Sequence, residues 1–255
     1  GLTVSSAKVS ADAGSNCVDL AVQPAPVSGK TYSMAVNGIR DVSPRSNKLE
    51  TGKALTFTAA APVFALIPDL ENTRGKVDDL ALRTLGQPAL TKGPAAGALT
   101  FNGREDGIVL NNRPELNPTD AMTLSAWIRP TSWDGNKRIM QKGREDNQFR
   151  LTASEGKFLF ELSGVGSVEC PLPALNTWHH VAAVYDGASM RLYLNGKLAG
   201  RTEASGKMVT SEDPLYIGTK NARATSRDYF AGDMFDVRLY DAALLPEHIT
   251  AMARP

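Results

Sequence analysis

Hydrolysis of a glycosidic bond needs two carboxyl groups about 5 to 10 Å apart. On one strand face that means i, i+2 or i+4 spacing. The pairs Glu145-Asp146 and Glu212-Asp213 are adjacent, so in strands their side chains diverge; a hydrolase would need an atypical pair. Histidine is scarce: His179, His180 and His248. Neighbouring histidines on a strand point to opposite faces and do not make a facial metal or triad pair. Trp178 and one of the two histidines are instead expected to pack or hydrogen-bond inside the fold. No Gly-x-Ser-x-Gly elbow, phosphate-binding loop or dinucleotide fingerprint is present.

Sugar recognition needs a flat aromatic for the apolar face of a pyranose and planar polar groups for its hydroxyls. Three stretches offer these. One is Trp133 with Asp134, Asn136, Lys137 and Arg138; the second runs from Arg144 through Asp146 and Asn147 to Gln148; the third holds Lys220, Asn221, Arg223, Arg227, Asp228 and Tyr229. If they meet at one rim, they form a polar, net basic site with two aromatics, suited to an acidic or sulfated glycan. The alternative is three ordinary solvated loops. The ligand-binding candidates are Trp133, Arg144, Asp146, Asn147, Asn221, Arg227, Asp228 and Tyr229.

The elements that must position these residues are strands. Hydrophobic content of 42% and charged content of 22% exclude disordered and fibrous classes. The net charge of +1 comes from 28 basic and 27 acidic residues, interspersed, so nothing marks a nucleic-acid or anionic-membrane surface. The richest apolar run, Phe57 to Ile67, is short and broken by Pro62, and no membrane insertion is expected. Cys17 and Cys170 match no metal spacing; a disulfide between the halves and two unpaired thiols both remain open.

Residues 1 to 61 alternate with period 2 around Thr3–Val9, Cys17–Val22, Thr31–Val36 and Gly52–Ala59, punctuated by Gly, Pro and Asn, which is the pattern of a β-sandwich. Residues 62 to 98 are read as an apolar entry at Val63–Ile67, a short helix or irregular crossing over Val77–Leu85, and loop from Gly86 to Gly97. From Ala98 strands recur about every ten residues. The clearest are His179–Tyr185 and Met190–Leu194. They are joined at Asp186-Gly187 and followed by Asn195-Gly196, a two-residue type I′ hairpin signal. Leu245-Pro246-Glu247 reads as a helix start with Pro at its first position.

Two resemblances follow. Tyr32-Ser33-Met34-Ala35-Val36-Asn37-Gly38-Ile39-Arg40-Asp41, with Asn47-Lys48-Leu49, Gly52 and Thr56-Phe57-Thr58, resembles the closing strands of a bacterial Ig-like domain. That resemblance implies a partial Ig-like sandwich over 1–61, whose opening strands would precede Gly1. The second spans about 160 residues. Leu99-Thr100-Phe101-Asn102-Gly103, Asp106, Leu116-Asn117-Pro118-Thr119, Leu124 to Pro130 and Gln141-Lys142-Gly143 come in order. Trp178-His179-His180-Val181-Ala182, Leu192 to Gly196, Ile217-Gly218, Phe230-Ala231-Gly232, Val237 to Tyr240 and Ala243 to Glu247 complete it. Together they resemble the laminin G-like, concanavalin A-like jelly-roll family in its bacterial form, which implies an all-β jelly roll over 62–255.

That resemblance carries further expectations. Hydrolases of this fold carry Glu-x-Asp-x-(x)-Glu, which is absent from the chain. Related jelly rolls hold a structural Ca²⁺ with an acid just after Gly-x-Ile in the last long strand. Here Gly232-Asp233-Met234 is followed by Phe235, which falls in register with Val237 and Leu239 and is expected in the core. Asp106 and Asp236 are left as the metal candidates. Pentraxins, distant relatives, place an Asp-Asn pair where Asp146-Asn147 stands, but their second acidic cluster falls here at Thr219-Lys220-Asn221-Ala222-Arg223, where cations would repel Ca²⁺. The family mostly binds sugars or protein ligands or holds larger proteins together. The resulting expectation is a non-catalytic carbohydrate-binding module of a larger secreted or surface-attached bacterial protein. Its partners would be a glycan, a cell-surface or protein ligand and neighbouring domains, and a structural or adhesion module is the alternative.

Overall fold

The computed structural model describes residues 3–9, 18–23, 31–36, 53–58, 62, 64–66, 82–94, 97–143, 148–223 and 228–254. The chain divides into two compact units, 1–61 and 62–255. In the first, β1 (Thr3–Val9) pairs antiparallel with β2 (Val18–Gln23), and β3 (Thr31–Val36) with β4 (Lys53–Thr58). These are the four stretches whose alternation marks them as strands.

The second unit is a sandwich of two antiparallel sheets. Its strands are β5 (Phe64–Leu66), β6 (Leu82–Leu85), β7 (Ala89–Lys92), β8 (Gly97–Asn102), β9 (Gly107–Leu110), β10 (Met122–Ser132), β11 (Lys137–Lys142) and β12 (Phe149–Ser154). They continue with β13 (Lys157–Leu162), β14 (Gly166–Pro171), β15 (His179–Tyr185), β16 (Ser189–Leu194), β17 (Lys197–Glu203), β18 (Leu215–Ile217) and β19 (Ala231–Tyr240). The first sheet runs β17-β16-β15-β10-β19-β8-β7, with β5 also on β19; the second runs β14-β13-β12-β11-β18-β9-β6. Non-sequential neighbours such as β10 beside β19 bring distant loops to common ends.

Two stretches read otherwise from sequence are strands. Leu82–Leu85 pairs with β9 rather than forming a helical turn, and Ala89–Lys92 pairs with β8 rather than remaining loop. In both cases a sheet edge supplies hydrogen bonds that local pattern does not reveal.

The main core lies between the sheets and includes Leu124, Ile128, Met140, Leu151, Phe160, Val181, Leu192, Ile217 and Leu239. Losing a ring such as Phe160, fully buried, costs about 3–5 kcal/mol by the usual large-to-small figure. The outer face of the first sheet carries two smaller clusters. Helix α1 (Pro246–Met252), with Pro at its first turn, lays Ile249 over Ala182, Val184, Tyr193 and Tyr240. Beside it, Ala98, Trp127 and Phe235 pack with Trp178.

Phe235 is therefore not in the central core. Asp236 adopts φ 50°, and the β10–β19 register slips there, from Arg238 opposite Ser125 to Phe235 opposite Trp127. One extra residue at the bulge turns Phe235 to the outer face while Met234, Val237 and Leu239 stay inside. The expected alternation fails because the bulge residue is Asp, not the Gly that would advertise it.

Candidate functional site

The β15–β16–β17 hairpins hold the two histidines apart. Asn195 and Gly196 take φ 52° and 77°, as a type I′ turn requires. Asn195 Oδ1 accepts the His180 amide (2.9 Å), and its side-chain nitrogen lies 3.2 Å from His179 Nδ1. His179 Nε2 is 3.1 Å from the Ala174 carbonyl. His180 packs edge-on to Trp127, centroids 5.6 Å apart. Burial, aided by the charge of Arg238, pushes its imidazole down to about 4, so it is neutral at pH 7. The segment is framework, as the strand geometry implies.

Of the residues singled out for sugar contact, Arg144, Asp146, Asn147 and Arg227 lie outside the described residues. Trp133 is half-buried. Its indole N–H donates to the Pro173 carbonyl (2.7 Å), and its ring packs against Phe158 and Phe230. Tyr229 is only 5% exposed. Tyr229 therefore offers no open ring, while Trp133 stays partly exposed. Trp133 packs against the main core.

The described ends of the three stretches fall at two ends of β11. The 133–136 loop enters β11 and the 143–148 loop leaves it, and six extended residues separate them by roughly 20 Å. Residues 219–223 follow β18, which is antiparallel to β11 with Ile217 opposite Met140, so they start from the 133–136 end. There Asn221 closes a turn: its side-chain oxygen accepts the Arg223 amide (2.8 Å) and its carbonyl the Thr219 hydroxyl (3.1 Å).

The outside of the second sheet carries a polar row nearer the other end of β11, which it crosses at Gln141, one residue before the strand finishes. Ser167, Glu161, Arg150, Gln141, Tyr216, Val109 and Arg83 lie in one cross-strand row from β14 to β6. Arg138 sits beside the row. Its Nε donates to Gln141 Oε1 (2.7 Å) and its Nη1 to Thr152 Oγ1 (2.7 Å) and the Asn136 carbonyl (3.4 Å). Arg150 Nη2 donates to Glu161 Oε2 at 2.7 Å. Burial lowers the Arg138 guanidinium to about 10, with Arg150 adding to the effect and Asp228 and Glu161 opposing it. It stays cationic at neutral pH. Arg138 belongs to the first of the three stretches that offer sugar contacts, and a bulge between Arg138 and Met140 sets the face it takes. At the turn of the same hairpin, two residues before Arg150, Gln148 is 2% exposed, and neither amide atom has a hydrogen-bond partner among the described residues.

The metal candidates do not converge. Asp106 is buried, and its two oxygens accept the amides of Gln87 and Asn102, each at 2.8 Å. Asp236 binds Arg238 Nε at 2.6 Å. Asn102 is opposite Ala231, five residues from Asp236 along β19 and so roughly 16 Å away. A shared Ca²⁺, with ligands at 2.3–2.6 Å, does not fit that separation. Among the described residues no group of three or more His, Cys, Asp or Glu side chains could hold a metal. Cys17 lies outside the described residues, while Cys170 is a buried free thiol that burial raises to about 11. No described helix is long and apolar enough to cross a membrane.

A family model described as the concanavalin A-like lectin/glucanases superfamily matches residues 102–250. No curated protein matches the chain in sequence. Among solved structures, the binding domain of Paraclostridial Mosquitocidal Protein 1 aligns with TM-score 0.63 and 14% identity over 75% of this chain and 51% of that one. The Botulinum neurotoxin serotype G binding domain aligns with TM-score 0.61 and 12% identity over 75% and 50%. Domain 4 of AbnA, a GH43 extracellular arabinanase from Geobacillus stearothermophilus solved with arabinotriose, aligns with TM-score 0.61 and 17% identity over 76% of this chain and 99% of that one. The chain spans about half the length of the toxin domains it resembles. At these identities the likeness concerns the fold.

Proposed function

Because the chain belongs to the concanavalin A-like lectin/glucanases superfamily, we propose that it is a non-catalytic binding module of a larger secreted or surface-attached bacterial protein, with a carbohydrate as its ligand. The observation that carries this reading is the polar row on the outside of the second sheet. The partly exposed guanidinium of Arg150 and carboxylate of Glu161 stand side by side there, with Ser167 and Arg83 exposed at the two ends of the row. Such groups match the paired hydroxyls of a saccharide. The arabinanase domain, solved with a bound trisaccharide, is a precedent on the same fold. The carboxylates of this face also favour binding over hydrolysis: Glu161 is held by Arg150, and Asp228 serves as a counter-charge to Arg138. A general acid would have to be protonated and free to donate.

A glycan array followed by calorimetry, with and without Ca²⁺, tests the proposal. Saturable binding to a polysaccharide without turnover is the expected result. No binding to any glycan under either condition contradicts it. The toxin binding domains among the structural neighbours favour one second reading, a module that takes a receptor or neighbouring protein. It gains if the array is silent and a protein partner binds the same face.

A further inference from the structure

Lys142 ends β11 on the inner side of the second sheet. In register it is opposite Phe149 and Leu215, both fully buried, and it is itself 0% exposed. An unpaired ammonium there would be very costly. Instead its Nζ donates to Asn112 Oδ1 at 2.7 Å, the Ser211 carbonyl at 2.6 Å and the Asp213 carbonyl at 2.9 Å, one acceptor for each of its protons.

The three oxygens come from two loops, 111–117 and 211–213, which are tied to each other around the charge. Asn112 Nδ2 donates to Glu212 Oε2 (2.8 Å) and Asn117 Nδ2 to Asn112 Oδ1 (2.9 Å). The Ser211 amide donates to Asn117 Oδ1 (3.1 Å) and the Ser211 hydroxyl to Asp213 Oδ2 (3.2 Å). Amide and main-chain carbonyl oxygens gathered from loops around one positive charge, with the carboxylates of Glu212 and Asp213 in the layer behind them, are the kinds of donor that hold a hard divalent cation. Glu212 and Asp213 supply the negative charge, opposing the burial that draws the ammonium down to about 8.

We propose that this cage is a cation site of the Ca²⁺ class which the chain fills with its own Lys142 ammonium, so that loops 111–117 and 211–213 are joined without an added metal. Lys142→Ala removes the resident cation and opens the space it occupied. In metal-free buffer this variant melts roughly 5–10 °C below the parent, the size expected when several buried acceptors lose their donor. Millimolar Ca²⁺ or methylammonium restores at least half of the loss, whereas tetramethylammonium, which has no proton to donate, restores none. The parent protein shifts by less than about 1 °C with any of them. A variant that melts with the parent, or one that is destabilised and rescued by neither Ca²⁺ nor methylammonium, overturns the proposal. Should Lys142→Ala fail to fold, nitrogen-15 NMR of the parent decides. Lys142 ammonium protons that exchange slowly support the cage, and exchange as fast as that of surface lysines refutes it.

Discussion

Asp233 and Arg129, opposite one another on β19 and β10, close at 2.6 Å across the outer face of the first sheet. Asp233 also accepts the Thr100 hydroxyl at 2.5 Å, and Arg129 lies over the Trp178 ring, 5.3 Å from its centroid. The carboxylate's other oxygen thus carries the charge pair while the first is held by β8. Three strands and the aromatic cluster beside them are linked through one side chain.

Asp233→Ala should therefore destabilise the fold. The Asp233 side chain is 6% exposed but that of Arg129 is 40% exposed, so solvent screens the arginine once its partner is gone. The expected loss is about 1–2 kcal/mol rather than the 3–5 of a fully buried pair. Urea unfolding checks it, and a loss under about 0.5 kcal/mol would show that the contact is incidental.

His180 makes stability depend on acid. In the folded chain burial and Arg238 hold its imidazole at about 4, against 6.5 ordinarily. Between those values the unfolded chain binds more protons, so stability drops as pH falls. From pH 7 to pH 5 this group alone removes about 2 kcal/mol. Unfolding midpoints of the parent and of His180→Gln at both pH values isolate it. The parent should lose more than the variant by about that amount, and equal losses would contradict the assignment.

Asn195 separates backbone demand from side-chain contact. Its φ of 52° suits Asn or Gly and penalises a β-branched residue. Asn195→Gly loses the bond to the His180 amide and costs about 1 kcal/mol, while Asn195→Val adds backbone strain and costs about 2–3 kcal/mol. Equal costs in thermal melts would mean that the turn can change its type.

Much of the fold is legible from residue pattern because strands report themselves by alternation and turns by residue type: Asn195-Gly196 and Pro246 both behave as their chemistry dictates. The side on which Phe235 lies is not, because the bulge at Asp236 inserts a residue without a glycine to signal it. The site is harder still. Trp133 and Tyr229 have the chemistry of a sugar platform, yet composition does not say that Trp133 packs on the core or that Tyr229 is buried. That residues 133–136 and 219–223 lie toward one end of β11, and Gly143 at the other, follows only from knowing that β11 and β18 are antiparallel neighbours. Lys142 did leave a signal. It stands two residues after the core residue Met140, so simple alternation already puts a lysine on the inner face.

The most direct measurement is calorimetric titration of the strongest glycan-array ligand into the parent protein and into Asp228→Ala. If the polar face beside Arg138 is the binding surface, affinity falls at least about tenfold, some 1.4 kcal/mol. Unchanged affinity in Asp228→Ala, or a parent protein that binds no glycan with or without Ca²⁺, would contradict the account.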